Sequence, residues 1–152
     1  DLFKSTIVII TADHGDEFDD NGIGIKGHGS AFSDYQLRTP LLMFWPGKEP
    51  AVIDKRTSHN DIIATLMKTG LRCNNECSDY SIGIDLFTDK QWQWLIVGSY
   101  YNFAIIEPEQ VTVQFPGGYY QVRDRRYRIV SKPVYSRHLT TALKEMGRFY
   151  KK

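Results

Sequence analysis

Five β-branched residues in a row, Thr6-Ile7-Val8-Ile9-Ile10, run without polar interruption into Thr11-Ala12-Asp13-His14-Gly15. So short a run, with no alternation, predicts a strand buried on both faces, as in a parallel sheet, and the rest of the chain must cover it. In open α/β sheets ligands bind beyond the carboxyl ends of the strands, which is where Asp13, His14 and Gly15 fall. Carboxylate and imidazole together suit Zn, Mn or a similar divalent ion, and Gly15 is expected to let the backbone turn sharply beside them. Taken as a dipeptide alone, Asp13-His14 reads first as a strand-end turn, with Asp13 capping backbone amides and His14 merely exposed.

Downstream, the Gly-rich acidic stretch through Ile25 lacks helical periodicity and reads as an exposed active-site loop. Its acids do not make an EF-hand: with Gly22 at the sixth loop position, His28 falls where a bidentate Glu is required. Most of them read as solvated charges, with Glu17 the best placed to orient His14 or a metal-bound water. Leu41 to Trp45 predicts a second buried strand, stopped by Pro46-Gly47. Ser58 is an N-cap candidate for a helix whose apolar residues Ile62, Ile63, Leu66 and Met67 share one side, with Gly70 as its stop. From Gln91 the texture changes to short β-type runs, Trp92 to Ser99, Asn102 to Ile106, Gln110 to Phe115 and Tyr119 to Val122. These predict an antiparallel meander with Gly117-Gly118 as its clearest hairpin turn, and Arg126 to Val130 as a further candidate strand. The abundant aromatics, Trp92, Trp94, Tyr100, Tyr101, Phe103, Tyr119 and Tyr120, are expected in its core. Leu139, Ala142, Leu143, Met146 and Phe149 have the spacing of a terminal amphipathic helix.

With 152 residues, 41% of them hydrophobic, the chain fits one globular domain. Its opening, Asp1-Leu2-Phe3-Lys4, has neither a start methionine nor a leader signal and reads as a piece of a longer protein. No apolar stretch approaches the ~18 residues a membrane helix needs, so a soluble piece is expected. Residues 1 to 117 carry 9 Lys/Arg against 16 Asp/Glu, whereas residues 118 to 152 carry 10 against 2. That basic block holds Arg123, Arg125, Arg126, Arg128 and the Lys151-Lys152 end. Cys73 and Cys77 have neither redox nor zinc spacing; a local disulfide is plausible in an oxidising compartment, and free thiols in cytosol.

Thr-Ala-Asp-His-Gly after a β-branched strand, then Asn21-Gly22 and Gly27-His28-Gly29, resembles the metal-site segment of the alkaline phosphatase and sulfatase superfamily. Thr39 to Gly47, Ser58 to Ile62 with Thr65-Leu66, Ser78 to Ser81 and Asp85 to Phe87 extend the likeness. In these segments the chain looks most like the YejM-type inner-membrane sulfatase-like proteins of Gram-negative bacteria. The resemblance implies the carboxyl-terminal part of an alkaline-phosphatase-like α/β fold. Residues 1–90 would form the metal-site half of its core, with parallel-type strands and a helix; residues 91–152 would add the antiparallel meander and terminal helix within the same domain.

The resemblance also puts Asp13 and His14 on a divalent ion, Zn, Mn, Mg or Ca, and makes His28 a contact to metal or substrate phosphate. Spacing alone would leave His28 a flexible loop histidine, and Lys26 is an alternative anion contact. Many sulfatases have Asn in place of His14, so the histidine points toward the phosphatase and phosphotransferase branches. His59, beside Asp61 at a helix start, is explained by capping and packing without a function, and the resemblance keeps it only as a weak candidate at the site rim. The implied nucleophile, Thr, Ser or a formylglycine, is expected from the missing amino-terminal half of the protein, leaving no catalytic residue here.

Two functions follow from the resemblance. One is a share in a metal-dependent hydrolase or phosphotransferase acting on phosphate or sulfate esters. The other is a non-catalytic periplasmic domain of an inner-membrane protein, binding anionic phospholipid or lipopolysaccharide through Arg123, Arg125, Arg126 and Arg128. Intramolecular pairing of those arginines with the acidic first part is the plain alternative. Nucleic acid is set aside, since the block has no recognised docking motif.

Overall fold

In the computed structural model, which describes residues 1–29 and 31–148, the β-branched run becomes β1 (Val8–Thr11). There follow β2 (Glu17–Phe18), β3 (Lys26–Gly27), α1 (Asp34–Leu37), β4 (Leu41–Phe44) and α2 (Asn60–Thr65). Then come β5 (Leu95–Gly98), β6 (Phe103–Ile106), β7 (Val111–Gln114), β8 (Tyr120–Arg123) and α3 (Leu139–Arg148). The class is mixed α/β, as expected. Phe149, expected in the terminal helix, and the Lys151-Lys152 end of the basic block lie outside the described residues. Among the described residues no helix is long and apolar enough to cross a membrane.

By its internal contacts the chain divides into two compact units, Asp1–Pro50 with Ile96–Arg137, and Ala51–Leu95 with the chain from His138 on. In the first, β1 pairs with β4, and the pairing is antiparallel, with Val8 opposite Phe44 and Thr11 opposite Leu41. The expected parallel pairing and double burial are therefore not met: Ile10 is 59% exposed and Leu42 63%. An unbroken apolar run marks a strand that needs cover on both faces, and it does not say which residues provide it.

The meander is present as a four-stranded sheet in the order β5-β6-β7-β8. Register runs from Phe103 opposite Gln114 to Ile106 opposite Val111, then from Val111 opposite Arg123 to Gln114 opposite Tyr120. Gly117 and Gly118 adopt φ of 84° and 88° in the β7–β8 turn, a conformation that side chains with a Cβ rarely take. The Arg126 to Val130 candidate reduces to one bridge, Arg123 to Ile129. The core of the sheet is aliphatic, formed by Ala104, Ile105, Ile106, Val111, Val113 and Val122. The aromatics expected there are displaced to its turns and margins, with Tyr100, Tyr101 and Tyr119 all exposed.

In the second unit, His59 and not the expected Ser58 is the N-cap of α2, and it makes no side-chain cap bond; Asp61 Oδ2 reaches back to accept the Ser58 amide at 2.8 Å. The helix then widens into a π-turn over Leu66–Gly70, closed by the Leu71 amide on the Leu66 carbonyl. Its buried face is Asp61, Ala64 and Thr65, and Ile63 is half exposed, so the apolar side expected from spacing is rotated away from the packed one. Asp61 explains the offset. Its carboxylate also accepts from the Ile84 amide and from Trp92 Nε1, at 2.8 and 3.0 Å, drawing that face inward. Cys73 and Cys77 are unbridged, their thiols directed to Asn75 Oδ1 and the Gly83 carbonyl respectively.

Candidate metal centre

The loop after β1 is a hairpin, and its register places the polar groups. Glu17 lies opposite Gly27 and Phe18 opposite Lys26. One step beyond the ladder, Asp16 and His28 come face to face, and His28 Nδ1 meets Asp16 Oδ1 at 3.0 Å. The acids that seemed to be solvated charge are divided among separate tasks. Glu17, fully buried, accepts from the Ser33 hydroxyl and from Asn21 Nδ2. Asp20 accepts the Phe18 amide at 2.7 Å and Asp19 the Gly24 amide at 2.6 Å, so both serve the turn.

His14 joins this pair from the end of β1. Its ring stacks on that of His28, with centroids 4.2 Å apart and planes inclined by 25°. His14, Asp16 and His28 thereby offer three ligand atoms within 4.8 Å of one another, all on exposed residues. His14 Nδ1 lies 3.1 Å from the Gly15 carbonyl. A carbonyl only accepts, so this contact puts the ring proton on Nδ1 and leaves the lone pair on Nε2. Asp16 does the same for His28 when ionised. The Asp13 carboxylate stands outside the trio, 3.7 Å from His14 Nε2 and largely exposed, while its Oδ1 accepts the His14 amide at 3.1 Å.

Gly15 holds this corner through closeness, not through the sharp turn expected of it. Its φ is not positive; instead, a Cβ there would lie 2.1 Å from the Tyr35 carbonyl oxygen. The Gly15 amide donates to the Gln36 carbonyl at 2.9 Å, so β1's end rests on the backbone of α1. Asp34 of the same short helix pairs with Arg125, which also reaches the Glu107 carbonyl at 3.4 Å.

Arg125 is thus an anchor for this corner. Arg128 bridges to Asp124 at 2.8 Å, and Arg123 donates to the Tyr127 carbonyl and lies 4.4 Å from that ring's centroid. Desolvation pushes the Asp124 carboxyl up, but bonds from Arg128 and Arg126 outweigh it and hold the group below the usual carboxylate range. Burial pushes the Tyr127 phenol up, with the Glu17 charge adding to it. Arg126 is exposed and gives its backbone amide to Asp124.

Of the residues singled out from sequence, His14 and His28 are brought together, and Lys26 shares the outward face of the hairpin two residues before His28. Glu17 turns to Ser33 and Asn21 and not to His14. His59 is an exposed residue at the start of α2, in the second unit. Asp16 was passed over. Only the hairpin register, which a two-residue ladder hardly prints in sequence, would have revealed it.

Residues 1–70 match the family model described as Sulfatase. Over 125 residues, 80% of this chain, the sequence is 32% identical to the inner membrane protein YejM of Salmonella typhimurium. The chain is a relative of the sulfatases. It is equally similar to YejM of Salmonella typhi, and 31% identical over 106 residues, 70% of the chain, to an uncharacterized protein of Haemophilus influenzae. This sulfatase-like chain spans about a fifth of the length of these curated relatives, 20%, 20% and 18% respectively. Asp13, His14, Asp16, Lys26 and His28 all lie in the sulfatase-matching part, as does His59.

Proposed function

We propose that this chain supplies part of the metal-binding centre of a sulfatase-like protein acting on phosphate or sulfate esters. The carrying observation is the meeting of His14, Asp16 and His28, three ligand atoms within 4.8 Å on an exposed corner. The donor set fits a divalent ion: two imidazoles whose Nδ1 atoms are held by oxygens, which leaves Nε2 as the lone-pair nitrogen, beside carboxylates. His14, Asp16 and His28 would hold the ion, with Asp13 close enough to join on a rotation of its exposed side chain. A divalent ion bound there supplies Lewis-acid neutralisation of the ester's anionic oxygens and activation of a nucleophile. The chain's own part is to fix the two rings and to offer Lys26 on the same face to the anion. Further ligands and the nucleophile belong, in this reading, to the rest of the protein. The names of two of the relatives support a place at the inner membrane; that this part lies on the periplasmic side belongs to our reading.

Calorimetric titration of the full-length protein with Zn, Mn, Mg and Ca tests the assignment. His28→Ala and Asp16→Asn are each expected to weaken the preferred ion by about 10- to 100-fold, the range seen when ligands or their orienting partners are removed. His59→Ala should leave affinity unchanged. Equal affinity in wild type and His28→Ala would remove the centre from this corner.

A further inference from the structure

Within the second unit, the segment from Cys77 to Gly83, the approach to β5 and the helix α3 enclose a cavity of about 290 Å³. Its floor is fixed from below. The Gly83 amide donates to Ser81 Oγ at 2.9 Å, Ser81 Oγ donates to the Asn60 carbonyl at 3.1 Å, and a Cβ on Gly83 would lie 2.0 Å from that same oxygen. Its aromatic walls are held too: Trp92 Nε1 donates to the Asp61 carboxylate at 3.0 Å, and Trp94 stacks on His138 with centroids 5.8 Å apart. Glu145 and Arg148, three residues apart on one face of α3, bring in an ion pair of 3.3 Å, whose guanidinium also donates to the Ser81 carbonyl at 3.2 Å. Both side chains are only 31% exposed, whereas Leu143 and Met146 of the same helix lie open to water. A helix that only packs turns its apolar stripe inward, and drawing charges away from water costs free energy even when they are paired. In α3 it is the charged stripe that turns inward, onto a cavity with indole walls.

We propose that this cavity binds a free aromatic α-amino acid. Among the described residues that line it, the two charged groups, Glu145 and Arg148, sum to zero, so a ligand with net charge would leave one of them unmatched. A zwitterion meets both. Its carboxylate lies against the guanidinium and its ammonium against the Glu145 carboxylate, in charge-assisted bonds strengthened by the low dielectric beside the indoles. Two tryptophans already fixed in place call for a flat apolar side chain, which stacks on them without ordering them first. The volume stands at the small end of the ~300–1,000 Å³ of ligand pockets, enough for one amino acid and not for a peptide. The inference uses none of the metal-centre residues and stands apart from that reading.

Calorimetric titration of the full-length protein with L-phenylalanine, phenylpropionate and phenylethylamine tests it, since each of the last two lacks one charge of the zwitterion. L-Phenylalanine is expected to bind about tenfold tighter than either, the scale of one bond to a charged group. It should also bind about tenfold tighter than L-alanine, the scale of a good aromatic contact. Glu145→Gln should erase the advantage over phenylpropionate, and Trp94→Leu the advantage over L-alanine. The comparison of ligands on wild type needs no substitution, so it decides the matter even where a variant does not fold. No binding of L-phenylalanine, equal binding of the three phenyl compounds, tighter binding of glucose than of L-phenylalanine, or an advantage that survives its substitution overturns the proposal.

Discussion

A methyl group at position 15 would collide with backbone, 2.1 Å from the Tyr35 carbonyl oxygen, and backbone cannot swing aside as a flexible side chain can. Gly15→Ala is expected to destabilise the fold by about 1–3 kcal/mol, the usual cost of forced overpacking, and to weaken metal binding by moving His14 off His28. Gly22→Ala is the contrasting case. At φ 66° with open space around it, the added methyl carries only the left-handed penalty of about 1–2 kcal/mol and should leave metal affinity alone. Urea unfolding and Mn titration of the two variants separate the effects; matching Mn affinities would show that α1 does not position His14.

Among the elements, α2 depends on one buried carboxylate. Asp61 accepts from the Ser58 and Ile84 amides and from the Trp92 indole, so Asp61→Ala strands three donors. A loss of roughly 3–5 kcal/mol is expected in chemical denaturation, with Trp92 fluorescence shifted red before the main transition; Asp61→Asn, which keeps an acceptor, should lose less. A loss under 1 kcal/mol would show the network to be incidental. The helix itself was legible from Ser58 and Gly70, and all four meander strands from their turn residues. What spacing could not show was which side of α2 packs, because a buried Asp counts as polar in any hydrophobic pattern. The same blindness hid Asp16: its partner comes from cross-strand register, and a hairpin of two pairs leaves no periodicity to read. His14 and His28 were legible through their neighbours in the motif, whereas Glu17's turn toward Ser33 and Asn21 required knowing where α1 lies.

At the scale of the whole molecule, β1 and β4 present Ile10, Leu42 and Phe44 to water, with Leu2 and Phe3 also exposed and Phe3 edge-on to Phe44. Apolar strands with open edges associate unless covered. The 152-residue chain alone is therefore expected to self-associate and to bind a hydrophobic dye, and Ile10→Lys/Leu42→Lys to restore a monodisperse species in sedimentation velocity. A wild-type chain that stays monomeric at high concentration would show that water is tolerated there. The charge split behaves differently from the patch. Arg123, Arg125 and Arg128 each have partners within the first unit, Arg128 with a side chain still 58% exposed, and Arg126 is exposed.

The hairpin register also sets a rule of parity for the gene. Side chains alternate with a period of two, so Asp16 and His28 face each other only while the span between them keeps its present phase. One codon inserted among those for Asn21 to Ile25, if it slid the ladder, would set Gly27 in the place of His28. Lineages can therefore lengthen this loop freely by pairs of residues, and by single residues only where the turn itself swallows the extra one.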